Sequence, residues 1–125
     1  MPLSPDTDAA LDRVRALALA LPETSERPSH SQPTFFVAGK MFAQYRHDHH
    51  GDGRTIVAVK TGGDDEAANL IEMDPDRYSR VAYFRRDWVG LAVGQDDTDW
   101  DHVADRLATS WELAAPPRLL EAGGR

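Results

Sequence analysis

A chain of 125 residues with 41% hydrophobic and 28% charged residues has the make-up of one soluble globular domain, long enough to bury a core without staples. It contains no cysteine, which excludes disulfides, thiolate metal sites and thiol nucleophiles. The formal net charge of −7 sets the overall field against polyanions, because nucleic-acid affinity rests largely on Lys and Arg neutralising phosphates.

The N-terminal stretch carries Asp6, Asp8 and Asp12 in place of a basic segment followed by an apolar one, so it does not read as a signal peptide. No apolar stretch approaches the roughly 20 residues of a membrane span, and the expected location is the cytoplasm. Ser4-Pro5 supplies a capping hydroxyl and a proline for the first helical position. Leu11, Val14, Leu17, Ala18 and Leu21 then share one helical face until Pro22 ends the run. Ser29 to Gln32 reads as a polar loop. It feeds a hairpin in which Thr34–Ala38 and Met41–Tyr45 are expected to pair around Gly39-Lys40, with glycine first as in a type II′ turn.

A turn-rich loop, Asp48 to Gly53, precedes a strand from Arg54 to Lys60. Val57 and Val59 face one side there and Ile56 and Ala58 the other, as in a central strand covered on both faces. After Thr61-Gly62-Gly63, the acids Asp64, Asp65 and Glu66 load the first turn of a short helix reaching Glu72. Met73 to Tyr78 reads as a turn leading into a helical or irregular stretch. Trp88 to Val93 reads as a further strand with Val89, Leu91 and Val93 on one face. Thr98 or Asp99 caps a last long helix striped by Trp100, Val103, Leu107 and Trp111, and Pro116-Pro117 stops it. The order predicts an α+β domain, with an antiparallel or mixed sheet of about four or more strands packed against N- and C-terminal helices.

Four stretches, in this order and spacing, identify a family: Ser29 to Ala43, Ile56-Val57-Ala58-Val59-Lys60, Trp88-Val89-Gly90-Leu91-Ala92-Val93, and Ser110 to Leu119, with the Asp74-Pro75 turn between. From Arg13 to Leu120 the chain resembles the MmcQ/YjbR family of small bacterial proteins. The resemblance implies a single domain over residues 1–125, a compact α+β fold described as double-wing, and a non-catalytic DNA-binding role read from shape. It brings no catalytic motif. Ser31 departs from the glycine that often follows the histidine in members of the family.

Charge is uneven along the chain. Arg77, Arg80, Arg85 and Arg86 against Asp87 give +3 between Arg77 and Trp88, whereas six acids against Arg106 give −5 between Asp96 and Glu112. On the DNA-binding reading, Lys40, Arg46, Arg54, Arg85 and Arg86 would contact phosphates at a hairpin tip and sheet rim, with weak, salt-sensitive and poorly sequence-specific affinity. The alternative is a small-molecule or protein-binding module with a pocket near His30, walled by Tyr45 and Trp88. Histidine can anchor a hydrogen bond or move a proton near neutral pH, but Ser29-His30-Ser31 is no relay, and no G-x-S-x-G elbow supports a serine nucleophile. His47-Asp48-His49-His50 with Asp52 has ligand-type residues without the spacing of a preformed metal site, so no metal is expected. Gly62-Gly63 lacks the pattern of a phosphate-cradling loop, so no cofactor is expected either.

Overall fold

A computed structural model describes residues 5–47, 54–95 and 97–121. Helix α1 (Pro5–Leu19) leads into strands β1 (Thr24–Ser29), β2 (Gln32–Val37), β3 (Lys40–His47) and β4 (Thr55–Lys60). Helix α2 (Asp64–Met73), strands β5 (Tyr78–Ser79) and β6 (Trp88–Ala92), and helices α3 (Trp100–Ala114) and α4 (Pro117–Glu121) follow among the described residues. The six strands form one antiparallel sheet in the order β1-β2-β3-β4-β6-β5. Together with the helices they make a single α+β domain. No helix among the described residues is long and apolar enough to cross a membrane.

The helices cover one face of the sheet. Val14 and Ala18 of α1 and Val103, Leu107 and Trp111 of α3 pack on Phe35, Val37, Phe42, Ala43, Tyr45, Val57, Val59, Val89 and Leu91. Trp111 is fully buried, and its indole Nε1 donates to the Pro22 carbonyl at 2.9 Å, so the apolar helix stripe is core. Trp100 lies at its margin, half-buried beneath the Arg13 guanidinium. Asp99 is the residue that caps α3, its carboxylate accepting from the His102 amide. Ser4 lies outside the described residues, and α1 runs from Pro5.

Both turns of the β1–β2–β3 meander differ from expectation. The second is Ala38-Gly39, closed by the Val37–Lys40 pair, not Gly39-Lys40. Both of its central residues have positive φ, 48° and 84°, which makes it a type I′ turn. The first is His30-Ser31, at φ 51° and 66°, between paired Ser29 and Gln32. The segment read as a loop is therefore a second type I′ hairpin, and β1 is an added edge strand. Its sequence, Thr-Ser-Glu-Arg-Pro-Ser, shows no apolar alternation because no residue of it is buried. Tyr78-Ser79, at the point where the Met73–Tyr78 turn is expected to lead into a helical or irregular stretch, forms the other edge strand.

The β2–β3 register shifts between Phe35 and Phe36, which pair with Ala43 and Met41 and leave Phe42 as the extra residue of a bulge. Phe42 and Ala43 consequently both enter the helix-side core, while Met41 turns to the opposite face. Ser110 of α3 stitches this point. Its hydroxyl donates to the Phe42 carbonyl at 2.6 Å and accepts from the Lys60 amide at 2.9 Å, satisfying two backbone groups inside the core.

Candidate functional site: the cavity opposite the helices

Across the sheet from the helices, the strands present Thr34, Gln44, Arg46, Ile56, Ala58, Gly90 and Trp88, following from the cross-strand pairs and the two-residue repeat of a strand. Among the described residues, the connection from Arg80 to Asp87 covers this face. It sets Val81 and Phe84 on Ile56, Ala58 and Trp88 as a small second core, with Met41 against it. Gly90 lets the covering segment come down. A Cβ there would meet Ile56 Cδ1 at 2.8 Å, Ser79 Oγ at 3.1 Å and Val81 Cγ2 at 3.3 Å.

Beside that small core lies a cavity of about 690 Å³, within the size range of small-molecule sites. Ser29, His30 and Gln32 form its upper end, Met41, Gln44, Arg46 and Trp88 its sheet side, and Tyr83, Phe84 and Arg85 its other wall. The polar groups on the sheet are buried and mutually bonded. Gln44 is 3% and Arg46 6% exposed. Gln44 Nε2 donates to Thr34 Oγ1 at 2.9 Å and to the Ser29 carbonyl at 3.3 Å. Arg46 Nε donates to Gln44 Oε1 at 3.0 Å, and its Nη1 donates to the Ala82 carbonyl at 3.2 Å. The guanidinium also stacks 4.8 Å over the Phe84 ring, which meets Trp88 edge to face at 5.0 Å. One chain of bonds thus ties the first hairpin, the central strand and the covering segment around the cavity.

The structure brings His30 and Trp88 to this cavity but not Tyr45. That ring is 2% exposed and sits in the helix-side core, because it alternates with Gln44 and Arg46 on β3. Tyr45 therefore cannot wall a pocket near His30. The five cations do not make one ridge. Arg46 is buried, while Lys40, Arg54, Arg85 and Arg86 are exposed. Lys40 pairs with Val37 at one end of β3, and Arg54 adjoins Thr55, the partner of His47 at the other end. At about 3.3 Å per strand residue they stand roughly 20–25 Å apart. Arg85 and Arg86 sit on the covering segment, where the Arg86 carbonyl accepts from Arg80 Nη1 at 2.8 Å.

Of the histidine run, His47 shares a 2.8 Å hydrogen bond between Nδ1 and Thr55 Oγ1. Asp48, His49, His50 and Asp52 lie outside the described residues. Among the described residues no cluster of three metal-ligating side chains forms. Sequence reasoning missed Gln32, Met41, Gln44 and Phe84. The signal available was the polar Gln44 and Arg46 flanking Tyr45 in an otherwise apolar strand.

A second concavity, of about 340 Å³, opens on the other side at the start of α3 and is lined by Asp74, Asp76, Arg77, Asp97, Asp99 and His102 among others. His102 Nε2 and Tyr78 Oη share a short hydrogen bond. Burial holds the His102 imidazole below its ordinary value, and Arg77 and Arg106 add to the effect against Asp99 and Asp105. Burial pushes the Tyr78 phenol up, against Arg106 and Arg77.

The model of the YjbR family matches residues 19–113 of this chain. No curated protein matches it. Among solved structures, the fold resembles that of the Deinococcus radiodurans protein DR2400, described as a DUF419 domain. The TM-score is 0.68 at 17% identity, over 83% of this chain and 77% of that one.

Proposed function

The chain belongs to the YjbR family, and on that fold we propose that it is a binding module for a small organic molecule, taken up in the cavity beneath the His30-Ser31 turn. One observation carries this reading: two strongly polar side chains, Gln44 and Arg46, are buried at the wall of an apolar-lined cavity and held in place by Thr34, Ser29 and Ala82. Burying a guanidinium is costly unless its bonds are made. A fold that pays this cost beside a cavity has an oriented polar group there, as small-molecule sites do. The direct test is a fragment set screened by protein-observed NMR. Hits should shift the side-chain amide of Gln44 and the indole of Trp88 together. Hits confined to the helix side would sink the reading.

DNA binding is the second reading, favoured by Arg80, Arg85 and Arg86 exposed on one segment with Tyr83, whose side is 85% exposed. Cations and an aromatic together suit a nucleic-acid strand. Against it stand the net charge of −7 and the separation of Lys40 from Arg54. Binding to duplex and single-stranded DNA titrated with salt tests it.

A further inference from the structure

The lining of the cavity points to a particular ligand chemistry. Its walls are aromatic and soft: Trp88 and Phe84, crossed at 72°, with Met41 beside them. Its charged members are both cationic. Arg46 lies at the sheet, its plane fixed by Gln44, Ala82 and the Phe84 ring, and Arg85 stands exposed at the rim. In a chain with 21 acids against 14 basic residues, no carboxylate lines this cavity among the described residues, whereas four aspartates line the concavity on the other side. Tyr83, a bulky residue, is held at φ 70° at the mouth, in the left-handed region such residues rarely occupy. Strained backbone of that kind gathers at ligand clamps.

We infer that the ligand is a planar aromatic anion, its ring laid against Trp88 and Met41 and its carboxylate or similar group directed to Arg46 and Arg85. A guanidinium already oriented by neighbours loses little freedom on taking an anion, and charge-assisted bonds in a partly dry cavity are strong. Aromatic walls accept a flat ring with little loss of side-chain freedom. His30, Gln32 and Ser29 supply the polar upper end, where further hydrogen-bonding groups on the ligand would be read.

This inference rests on the small-molecule reading above and can fail separately from it. Isothermal titration calorimetry of the full chain would compare naphthoate, its neutral amide naphthamide, the cation naphthylmethylammonium, and inorganic phosphate as an anion without a ring. Naphthoate should bind roughly tenfold or more tightly than naphthamide, a charge-assisted bond being the difference, and phosphate and the cation should bind more weakly than both. Arg46→Gln and Arg85→Gln should each weaken naphthoate by about tenfold and leave naphthamide nearly unchanged. Arg85 is exposed, so its variant stays informative if the buried Arg46→Gln fails to fold. Equal or tighter binding of naphthamide or the cation, or an affinity for naphthoate untouched by Arg85→Gln, overturns the anion assignment while leaving a small-molecule site in place. No binding of any probe also overturns it, and the NMR fragment set then decides whether the cavity binds small molecules at all.

Discussion

The same central strands serve two unlike faces. Toward the helices, Tyr45, Val57, Val59, Val89 and Leu91 are sealed against Val103, Leu107 and Trp111, and the buried polar groups there are consumed in structure, as Ser110 is by Phe42 and Lys60. Away from the helices, Thr34, Gln44 and Arg46 are equally buried, yet Gln44 and Arg46 border a cavity and the bonds among the three orient a guanidinium there. Burial of a polar residue therefore does not by itself mark a site. What separates the faces is whether the buried group completes the backbone or stands beside open volume. Charge divides the same way, with arginines around the cavity and aspartates at the concavity beside α3.

The largest effect should come from emptying the sealed face. Trp111→Ala removes a fully buried ring and its bond to the Pro22 carbonyl and should lower unfolding stability by about 3–5 kcal/mol. Leu107 is 1% exposed, and Leu107→Ala should cost roughly 2–5 kcal/mol. Urea denaturation measures both. A near-neutral Trp111→Ala accompanied by lost ligand binding would erase the distinction between the faces and move Trp111 into the site.

Next comes the polar stitch within that face. Ser110→Ala strands the Phe42 carbonyl and Lys60 amide without their hydroxyl and should cost about 1–3 kcal/mol. Because Ser110 has no part in the cavity, the folded variant should bind probes as the wild type does. A changed affinity at unchanged occupancy of the fold would show that the bulge at Phe42 couples the two faces.

Much of this division was legible in the chain. Helical periodicity placed α1 and α3, the acids Asp64, Asp65 and Glu66 marked the start of α2, and the two-sided apolar run of Ile56 to Val59 announced a central strand covered on both faces, now seen as the helix-side core and the smaller cluster. The edges were not legible. β1 is polar throughout because no face of it is buried, and His30-Ser31 lacks the Asn-Gly or Asp-Gly signature of its turn type. The site suffered most from the bulge. Plain alternation puts Met41 on the side of Ala43 and Tyr45, but one extra residue at Phe42 sends Met41 to the cavity with Gln44 and Arg46. His30 and Trp88 could be singled out from sequence. That Tyr45 belongs to the core, and that Phe84 comes down beside Trp88, depends on register and on the path of the covering segment.

A smaller effect is expected at the acid-lined concavity. His102 is held below its ordinary value of 6.5 mainly by burial. Between that value and the lower folded one, the unfolded chain binds a proton that the native imidazole does not. Stability should therefore be unaffected by this group above the ordinary value, fall as pH drops through it, and level off below the folded value. His102→Gln removes the contribution. The wild type should lose stability relative to the variant on acidification from neutral pH, as read by urea midpoints at a series of pH values. A constant difference between the two across that range would show that the imidazole is not the group responding.

The smallest effect on the fold should follow from changing the rim alone. Arg85 and Arg86 are exposed, so replacing both with Ala should alter stability by no more than about 0.5 kcal/mol. That makes the double variant a clean instrument for the DNA reading. If the rim contacts phosphates, up to two contacts are lost, and the slope of log affinity against log salt should flatten by up to about 1.8, at roughly 0.9 per phosphate. The flattening should be similar for every sequence, since phosphate contacts position a protein without reading bases. Binding by the wild type should be confined to low salt, because the acids at the start of α3 repel the same polyanion. An absence of wild-type binding at about 20 mM salt, far below the roughly 0.15 M physiological level, would remove nucleic acid as a partner. The arginines would then be left to the cavity, where Arg85 is expected to govern the affinity for an aromatic anion and Arg86, which does not line it, is not. Testing the two single variants against naphthoate therefore sorts the rim by function: equal losses would mean that charge near the mouth matters without contact, and a loss confined to Arg85 would place the anion inside.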